Sequence, residues 1–212
     1  MTDELIFYTN PMSRGRIVRW MLEETGLPYR TEIVQYGPEM KAPAYRAINP
    51  MGKVPAVKRG GVVVTECAAI CAWLAEIAPD AGLAPRPEAR GAYYRWLFFT
   101  AGPVEASATN RALGVTVPDD KRGMVGYGCA VDVIETLETA LTSVLDAGTY
   151  IAGPAFSAAD VYLGSHVGWG MEFGTIERRP AFEKYFARLE NRPARLRAIE
   201  LDNAAMPPKD TA

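Results

Sequence analysis

Residues 49–55 (NPMGKVP) form the first pattern in the chain that could bind a ligand. They are rich in turn-forming residues and end in a Val-Pro pair, directly before a strand-like run at residues 56–59. Proline lacks a main-chain donor and is the residue at which cis peptide bonds occur. If Pro55 is cis, the N–H and C=O of Val54 point into a site where a peptide ligand can pair with them as an added strand. The competing interpretation is a surface turn that leads into an edge strand.

Glu66 and Cys67 form a second pattern, where the strand-like residues 62–65 give way to a helical run. The N–H groups at the start of a helix bind a carboxylate, and the helix dipole strengthens that binding. The Glu66 side chain beside them can accept an ammonium group. The pair therefore suits a ligand with an amino-acid head, and the competing interpretation is that Glu66 complements the dipole of its own helix.

The elements that must position these patterns fill the first 78 residues. Residues 5–8 (LIFY) form an apolar run typical of a buried strand, and from Arg14 apolar residues recur at helical spacing as far as Gly26. The other predicted elements are a strand at 29–36, a short helix at 44–47, a hairpin of 56–59 with 62–65, and a helix at 66–78. This order, β-α-β-α-β-β-α, predicts an α/β domain whose first two strands are parallel.

Beyond residue 78 the pattern is helical. Residues 79–87 (PDAGLAPRP) are rich in Pro and Gly and predict a linker. Residues 88–200 predict an all-helical domain, and residues 201–212 a polar tail. The predicted helices cover residues 89–113, 119–146, 158–173 and 180–199. Ser157 and Asp160 fit a reciprocal cap at the start of the third of these helices.

Composition narrows the class of protein. The net charge of −2 and the lack of a basic stripe argue against a nucleic-acid partner, and the apolar runs are too short to span a membrane. The chain has three cysteines, none in a Cys-x-x-Cys spacing, and a single histidine, His166, which argues against a metal site and a Ser-His-Asp triad. No signal-peptide pattern occurs. We therefore expect a cytoplasmic protein with reduced thiols and no metal.

Taken together, these patterns resemble the glutathione transferase family. Ser13 after the first strand, residues 49–55, and residues 65–74 (TECAAICAWL) look like its glutathione-binding domain, and residues 153–160 (GPAFSAAD) look like the cap of a buried helix in its second domain. The resemblance covers about residues 4–200. It implies the glutathione transferase fold, which is a thioredoxin-like α/β N-terminal domain followed by an all-α C-terminal helical bundle, and it implies a homodimer.

The resemblance also implies that glutathione binds as co-substrate and where it binds. The γ-glutamyl head would sit on Glu66 and Cys67, and the cysteinyl unit would pair with the main chain of Val54 beside Pro55. The chain departs from the family at Cys67, where serine is usual. A thiol is a weaker hydrogen-bond donor than a hydroxyl, so the main-chain N–H becomes the more important contact there.

Glutathione must be activated, because only roughly a few per cent of a free cysteinyl thiol is ionised at neutral pH. Families of this kind use a tyrosine at the end of the first strand, or a serine or cysteine at the start of the first helix. This chain offers Tyr8 and Ser13 and no cysteine nearby. The loop around Ser13 looks like the serine type, including the phi class. We favour Ser13, as an N-cap hydroxyl, and keep Tyr8 as the alternative.

Further ligand contacts follow from the same resemblance. Lys41 and Lys53 are the candidates for the glycyl carboxylate. Met12, Tyr93 and Trp96 are the candidates for the wall of an electrophile pocket, which would take a small apolar molecule. An aromatic stripe such as that of Tyr93 and Trp96 also suits a helical core.

The predicted function is transfer of glutathione to that electrophile. Two alternatives stay open. A glutathione-dependent isomerase or peroxidase would use the same activated thiolate, and a non-catalytic ligand-binding or interaction protein would keep the fold without the chemistry.

Overall fold

The protein consists of two compact units. A computed structural model describes residues 3–126 and 130–207. The first unit holds the chain up to Ala81 together with the chain from Arg192 onward, and the second unit holds Gly82–Asn191. The sequence instead assigned residues 88–200 to one helical domain and residues 201–212 to a tail, whose last five residues lie outside the described part.

The described part of the first unit contains a four-stranded sheet. Its strands are β1 (Leu5–Thr9), β2 (Arg30–Ile33), β3 (Ala56–Arg59) and β4 (Val62–Thr65), in the order β2-β1-β3-β4. β1 pairs in parallel with β2 and antiparallel with β3, and β3 and β4 form the predicted hairpin. The predicted parallel pairing is therefore confirmed, although β2 is shorter than residues 29–36.

The helices of the first unit come from both of its chain segments. They are α1 (Gly15–Thr25), α2 (Pro38–Lys41), α3 (Pro43–Arg46), α4 (Cys67–Ile77) and α10 (Pro193–Ala204). α1 packs against both α4 and α10. The buried apolar residues of α1 and α4 include Ile17, Val18, Met21, Leu22, Ile70 and Leu74. Residues 201–204, which the sequence placed in a tail, are helical.

A buried ion pair joins α10 to α1. Arg19 on α1 lies 2.8 Å from Asp202 on α10, and both side chains are almost fully buried. The guanidinium of Arg19 also donates to the hydroxyls of Tyr29 and Thr31, at 3.1 and 2.9 Å, and it lies over the ring of Phe7. A charge removed from water is stable only when it is paired and hydrogen-bonded in this way.

The second unit is built from helices in its described part. They are α5 (Arg90–Phe99), α6 (Glu105–Leu113), α7 (Ala130–Asp146), α8 (Ala158–Phe173) and α9 (Pro180–Ala187). No helix in residues 3–126 and 130–207 has both the length and the apolar character needed to span a bilayer.

Three of the four predicted helices beyond the linker needed correction. A π-helical turn at Thr100–Val104 divides residues 89–113, because Pro103 has no N–H with which to continue an α-helix. In residues 119–146 a short 3₁₀ helix, Asp119–Met124, precedes α7. Residues 180–199 contain two helices, α9 and the start of α10, and Pro193 is the first residue of the second.

The fourth predicted helix, residues 158–173, is confirmed as α8, and so is the reciprocal cap of Ser157 and Asp160 at its start. The Asp160 carboxylate accepts the N–H of Ser157 at 2.9 Å and its hydroxyl at 2.8 Å. It also accepts the N–H of Ile151 at 3.0 Å and the hydroxyl of Tyr185. Burial raises the pKa of Asp160, and these four donors oppose that rise because they favour the ionised carboxylate. The start of α8 is thereby fixed within the second unit.

Removing one side of the Arg19–Asp202 pair should destabilise the first unit. In Asp202→Ala the Arg19 guanidinium stays buried without its counter-charge, so we expect the free energy of unfolding to fall by about 3–5 kcal/mol. Urea unfolding followed by circular dichroism measures the change. In the control Glu200→Ala, only an exposed pair with Arg197 on the same helix is lost, and the unfolding midpoint should hardly move. Equal shifts in the two variants would contradict this account.

Candidate functional site

Ser13 lies in the loop between β1 and α1, and its hydroxyl both donates and accepts a hydrogen bond. The hydroxyl donates to the carbonyl of Asn10 at 2.7 Å and accepts the N–H of Gly15 at 2.9 Å. Arg14, not Ser13, is the N-cap residue of α1, so the predicted capping position was wrong by one residue. The expected contact between the Ser13 oxygen and a main-chain N–H at the helix start is nevertheless present.

Side chains hold the other carbonyls of this loop. Nε of Arg16 donates to the carbonyl of Pro11 at 2.6 Å, and the hydroxyl of Tyr36 donates to the carbonyl of Met12 at 3.3 Å. Asn10 is buried, and its amide donates to the carbonyl of Val34 at 3.1 Å. Asn10 was not among the site residues predicted from the sequence, although a polar residue between a strand and a proline is typical of a structured turn.

Tyr8, the other candidate for thiol activation, is half-buried near the end of β1. Its ring packs against the ring of Tyr45, with 5.9 Å between centroids. Tyr8 and Val54 both pack against the cluster of Val34, Met40 and Tyr45. Burial, with a smaller contribution from Tyr8, raises the pKa of Tyr45, so Tyr45 stays neutral. Tyr8 is thus held in the same cluster as Val54.

The Val54–Pro55 peptide bond is cis, which is the condition for the peptide-ligand interpretation of residues 49–55. Within the described residues, the N–H and C=O of Val54 take part in no hydrogen bond. Pro55 is buried, and Ala56 directly after it begins β3. The main chain of Val54 is therefore available to pair with an extended ligand in the manner of an added strand.

A polar network supports the loop that leads to Val54. The buried amide of Asn49 donates to the carbonyl of Lys53 at 2.7 Å and accepts the N–H of Met51 at 3.1 Å. The hydroxyl of Tyr45 donates to the same Lys53 carbonyl at 2.8 Å. Nζ of Lys41 donates to the carbonyl of Gly52 at 2.6 Å. Lys41 thus braces the loop, and the exposed side chain of Lys53 has no hydrogen bond within the described part.

Glu66 and Cys67 mark the start of α4, as the sequence predicts. Glu66 is exposed and is the N-cap residue, with φ of 68° and ψ of 123°. Cys67 is buried, and its sulfur lies 3.7 Å from the carbonyl of Arg14, so the thiol connects the starts of α4 and α1. One turn further, complete burial raises the pKa of Cys71, which keeps that thiol protonated.

The three residues predicted to contact the electrophile belong to different units. Met12 is exposed in the first unit. Tyr93 and Trp96 are buried in α5 of the second unit, where Tyr93 packs on Tyr94 and Trp96 packs on Phe99. Burial of this kind is what a core position requires, and their place in a ligand pocket stays a prediction.

Among residues 3–126 and 130–207, no group of three or more His, Cys, Asp or Glu side chains is arranged to hold a metal ion. The predicted contacts of the peptide-like ligand, in contrast, all come from the first unit. They lie at the end of β1 and in the loop after it, at the end of α2, in the loop before β3 and at the start of α4.

Comparisons with known proteins find similarity to glutathione transferases. Residues 12–77 match the family model "Glutathione S-transferase, N-terminal domain". Glutathione S-transferase GST-4.5 from Xanthomonas campestris pv. campestris is 26% identical over 187 residues, which cover 86% of this chain and 91% of that protein. A theta class glutathione S-transferase from Xanthomonas axonopodis pv. citri, solved with glutathione bound, is 29% identical with a TM-score of 0.71 and covers 93% of this chain and 97% of its own. A glutathione transferase homologue from Sulfitobacter, also with bound glutathione, is 25% identical with a TM-score of 0.68 and covers 96% and 99%.

The positive φ of Glu66 should cost stability that a glycine recovers. A non-glycine residue held in a sparsely populated backbone conformation lowers the free energy of unfolding by about 1–3 kcal/mol. Glycine removes this strain, but its greater entropy in the unfolded state cancels part of the stabilisation. We therefore expect Glu66→Gly to raise the free energy of unfolding by about 1 kcal/mol. Glu66→Ala removes the same carboxylate but keeps the strained backbone, and should bring no gain. Equal melting temperatures for the two variants would refute the strain.

Proposed function

We propose that the chain is a member of the glutathione S-transferase family and acts as a glutathione transferase, which binds glutathione, stabilises its thiolate and joins it to an apolar electrophile; the match of residues 12–77 to the family's N-terminal domain and the similarity to glutathione-bound structures support this. The arrangement of Val54, Pro55 and Glu66 in one unit supports this proposal most directly. It offers an unpaired main-chain edge and, beside it, a helix start with a carboxylate. A tripeptide with an amino-acid head needs both.

Each part of glutathione has a proposed partner. The cysteinyl N–H and C=O pair with the main chain of Val54. The γ-glutamyl ammonium binds the carboxylate of Glu66, and its carboxylate binds the N–H groups at the start of α4. Lys53 attracts the glycyl carboxylate, and Lys41 contributes by bracing the loop through its bonds to main-chain carbonyls. These assignments follow the family resemblance, and the geometry of the first unit is compatible with them.

Cys67 is proposed to act through its position more than through its thiol. The sulfur faces the carbonyl of Arg14 at 3.7 Å, which is a long contact with a weak donor. A serine at this position would offer a stronger donor to the γ-glutamyl carboxylate. The helix dipole of α4 acts on that carboxylate whichever side chain is present.

The proposed chemistry is nucleophilic attack by sulfur on carbon. The glutathione thiol loses its proton to solvent, and a hydroxyl of the protein stabilises the resulting thiolate by donating a hydrogen bond. A sulfur lone pair then forms the S–C bond. The electrons of the broken bond leave with the leaving group, or move along a conjugated double bond that afterwards takes up a proton. Binding both reactants in one site supplies part of the rate enhancement.

Ser13 is the donor we favour. Its oxygen already accepts a main-chain N–H, and its hydrogen can be turned towards a nearby anion. Tyr8 is the alternative donor, because its ring shares a cluster with Val54. The serine assignment fits the phi-like and theta-like branches of the family better than the tyrosine branches.

Other features of the proposal rest on the resemblance alone. We propose that the protein is a cytoplasmic homodimer with a role in detoxification, and that Met12, Tyr93 and Trp96 contact the electrophile. A glutathione-dependent isomerase or peroxidase stays the second candidate, because it would need the same thiolate. A non-catalytic binding protein is the third.

Substituting the two candidate donors separates their roles. We expect Ser13→Ala to lower kcat for conjugation of a chromogenic aryl halide by about 10²-fold, because a preorganised donor to the thiolate is lost. Tyr8→Phe should change kcat little and serves as the matched control, since it too removes one hydroxyl. A loss of rate in Tyr8→Phe alone would transfer the donor role to Tyr8. Binding without turnover in the unmodified protein would favour the non-catalytic alternative.

Binding of glutathione can be tested apart from turnover. Glu66→Gln keeps the size of the side chain but removes the charge that faces the ammonium, so the Kd for glutathione in calorimetry should rise about tenfold or more. Glu76→Gln, near the other end of α4, is the control and should bind as the unmodified protein does. An unchanged Kd in Glu66→Gln would contradict the proposed orientation of the tripeptide.

A further inference from the structure

Asn10 connects the sheet to the hydroxyl of Ser13. Its side chain is only 1% exposed. Nδ2 donates to the carbonyl of Val34, just beyond β2, at 3.1 Å, and Oδ1 accepts the N–H of Met12 at 3.0 Å. Both ends of the amide are therefore satisfied. One end ties the loop to the sheet, and the other bends the loop into a turn of the kind that asparagine favours.

The main-chain carbonyl of the same residue holds Ser13. It accepts the Ser13 hydroxyl at 2.7 Å and the Ser13 N–H at 3.0 Å. A hydroxyl has a single hydrogen, so while that hydrogen points at the Asn10 carbonyl, the oxygen offers no donor to a ligand. To donate to a thiolate, the hydrogen must rotate away from this carbonyl. The position of the carbonyl sets the strength of that competition, and the Asn10 side chain sets the position of the carbonyl.

The space around Gly15 shows how closely this turn is packed. A Cβ on Gly15 would lie 1.9 Å from Oγ1 of Thr9 and 2.9 Å from Oγ of Ser13. The Thr9 hydroxyl is buried and has no hydrogen-bond partner in the part of the chain that is described. Thr9, Ser13 and Gly15 are therefore closely packed, and a side chain at position 15 would displace the Ser13 hydroxyl.

From this geometry we infer that Asn10 is a positioning residue, which sets how readily the Ser13 hydroxyl donates to the glutathione thiolate. The inference rests on the proposed function. It goes further because it identifies a residue that acts through Ser13, has no contact of its own with the ligand, and controls the ionisation of the bound thiol.

The test compares Asn10→Ala with two other single substitutions in the same loop and its anchors. For each protein, the ultraviolet absorbance of the thiolate is followed against pH in the glutathione complex, and kcat and KM are measured for conjugation. We expect Asn10→Ala to lower kcat about tenfold and to raise the pKa of the bound thiol by about one unit, with KM for glutathione nearly unchanged. Asn10→Ser keeps an acceptor for the N–H of Met12 and should recover part of the loss. Tyr36→Phe removes a different anchor of the same loop, the bond to the Met12 carbonyl, and should leave the thiol pKa unchanged.

A double substitution separates positioning from general loop support. If Asn10 acts through Ser13, Asn10→Ala should have little further effect on the thiol pKa in a Ser13→Ala background. The inference would be overturned if Asn10→Ala shifted the thiol pKa equally in both backgrounds, or if Tyr36→Phe shifted it as much as Asn10→Ala does. It would also be overturned if Ser13→Ala left the thiol pKa unchanged. If Asn10→Ala does not fold, Asn10→Ser decides the question, with a smaller shift of the pKa expected and no shift overturning it. Absence of glutathione binding in the unmodified protein would overturn the proposed function itself, whereas normal turnover with an unshifted pKa in Asn10→Ala overturns only this inference.

Discussion

The buried guanidinium of Arg19 is the constraint on which the first unit depends. A permanently charged group that is almost entirely removed from water must have every donor directed at an acceptor. Asp202, Tyr29 and Thr31 accept from it, and Phe7 faces it with its ring. Because these partners come from α10, the segment after α1, and the strands β2 and β1, satisfying one charge fixes four parts of the unit together. α1 is held in this way, and the loop with Ser13 leads directly into it.

Side-chain amides hold the two irregular loops of the candidate site. Asn10 organises the loop after β1, and Asn49 organises the loop before β3, and both side chains are buried. Each amide bonds to main-chain groups, which replaces the hydrogen bonds that a helix or strand would supply. Loops restrained in this way can present Ser13 and the main chain of Val54 without movement of the main chain when a ligand binds, which favours preorganised electrostatic stabilisation.

The sequence predicts those parts of the fold that local chemistry determines. The hairpin of β3 and β4 follows from Gly60-Gly61 between two β-branched runs, and the start of α8 follows from Ser157 and Asp160. The helix start at Glu66 follows from the change of pattern after residues 62–65, and the cis bond at Pro55 is the conformation that the peptide-ligand interpretation of residues 49–55 requires. These signals lie within a few residues of the feature that they predict, which is why a single sequence was enough.

Features that depend on contacts between distant parts of the chain could not be predicted from local sequence patterns. The assignment of α10 to the first unit depends on a contact between residues 19 and 202, which no periodicity reveals. The role of Asn10 depends on its hydrogen bond to the carbonyl of Val34, which directly follows β2. Lys41 has the charge expected of a residue that binds a carboxylate, but only the fold shows that its ammonium also donates to two loop carbonyls.

The division of the first unit between the two ends of the chain affects the order in which the protein can mature. On the ribosome, domains generally fold as they emerge, with N-terminal ones first. Here α10 follows the whole second unit in the sequence, so the Asp202 carboxylate becomes available to Arg19 only after that unit has been translated. The second unit, which is continuous from Gly82 to Asn191, has all of its residues available earlier. Translation thus delivers a complete helical unit before α10 can complete the first unit, whose sheet precedes that helical unit in the sequence.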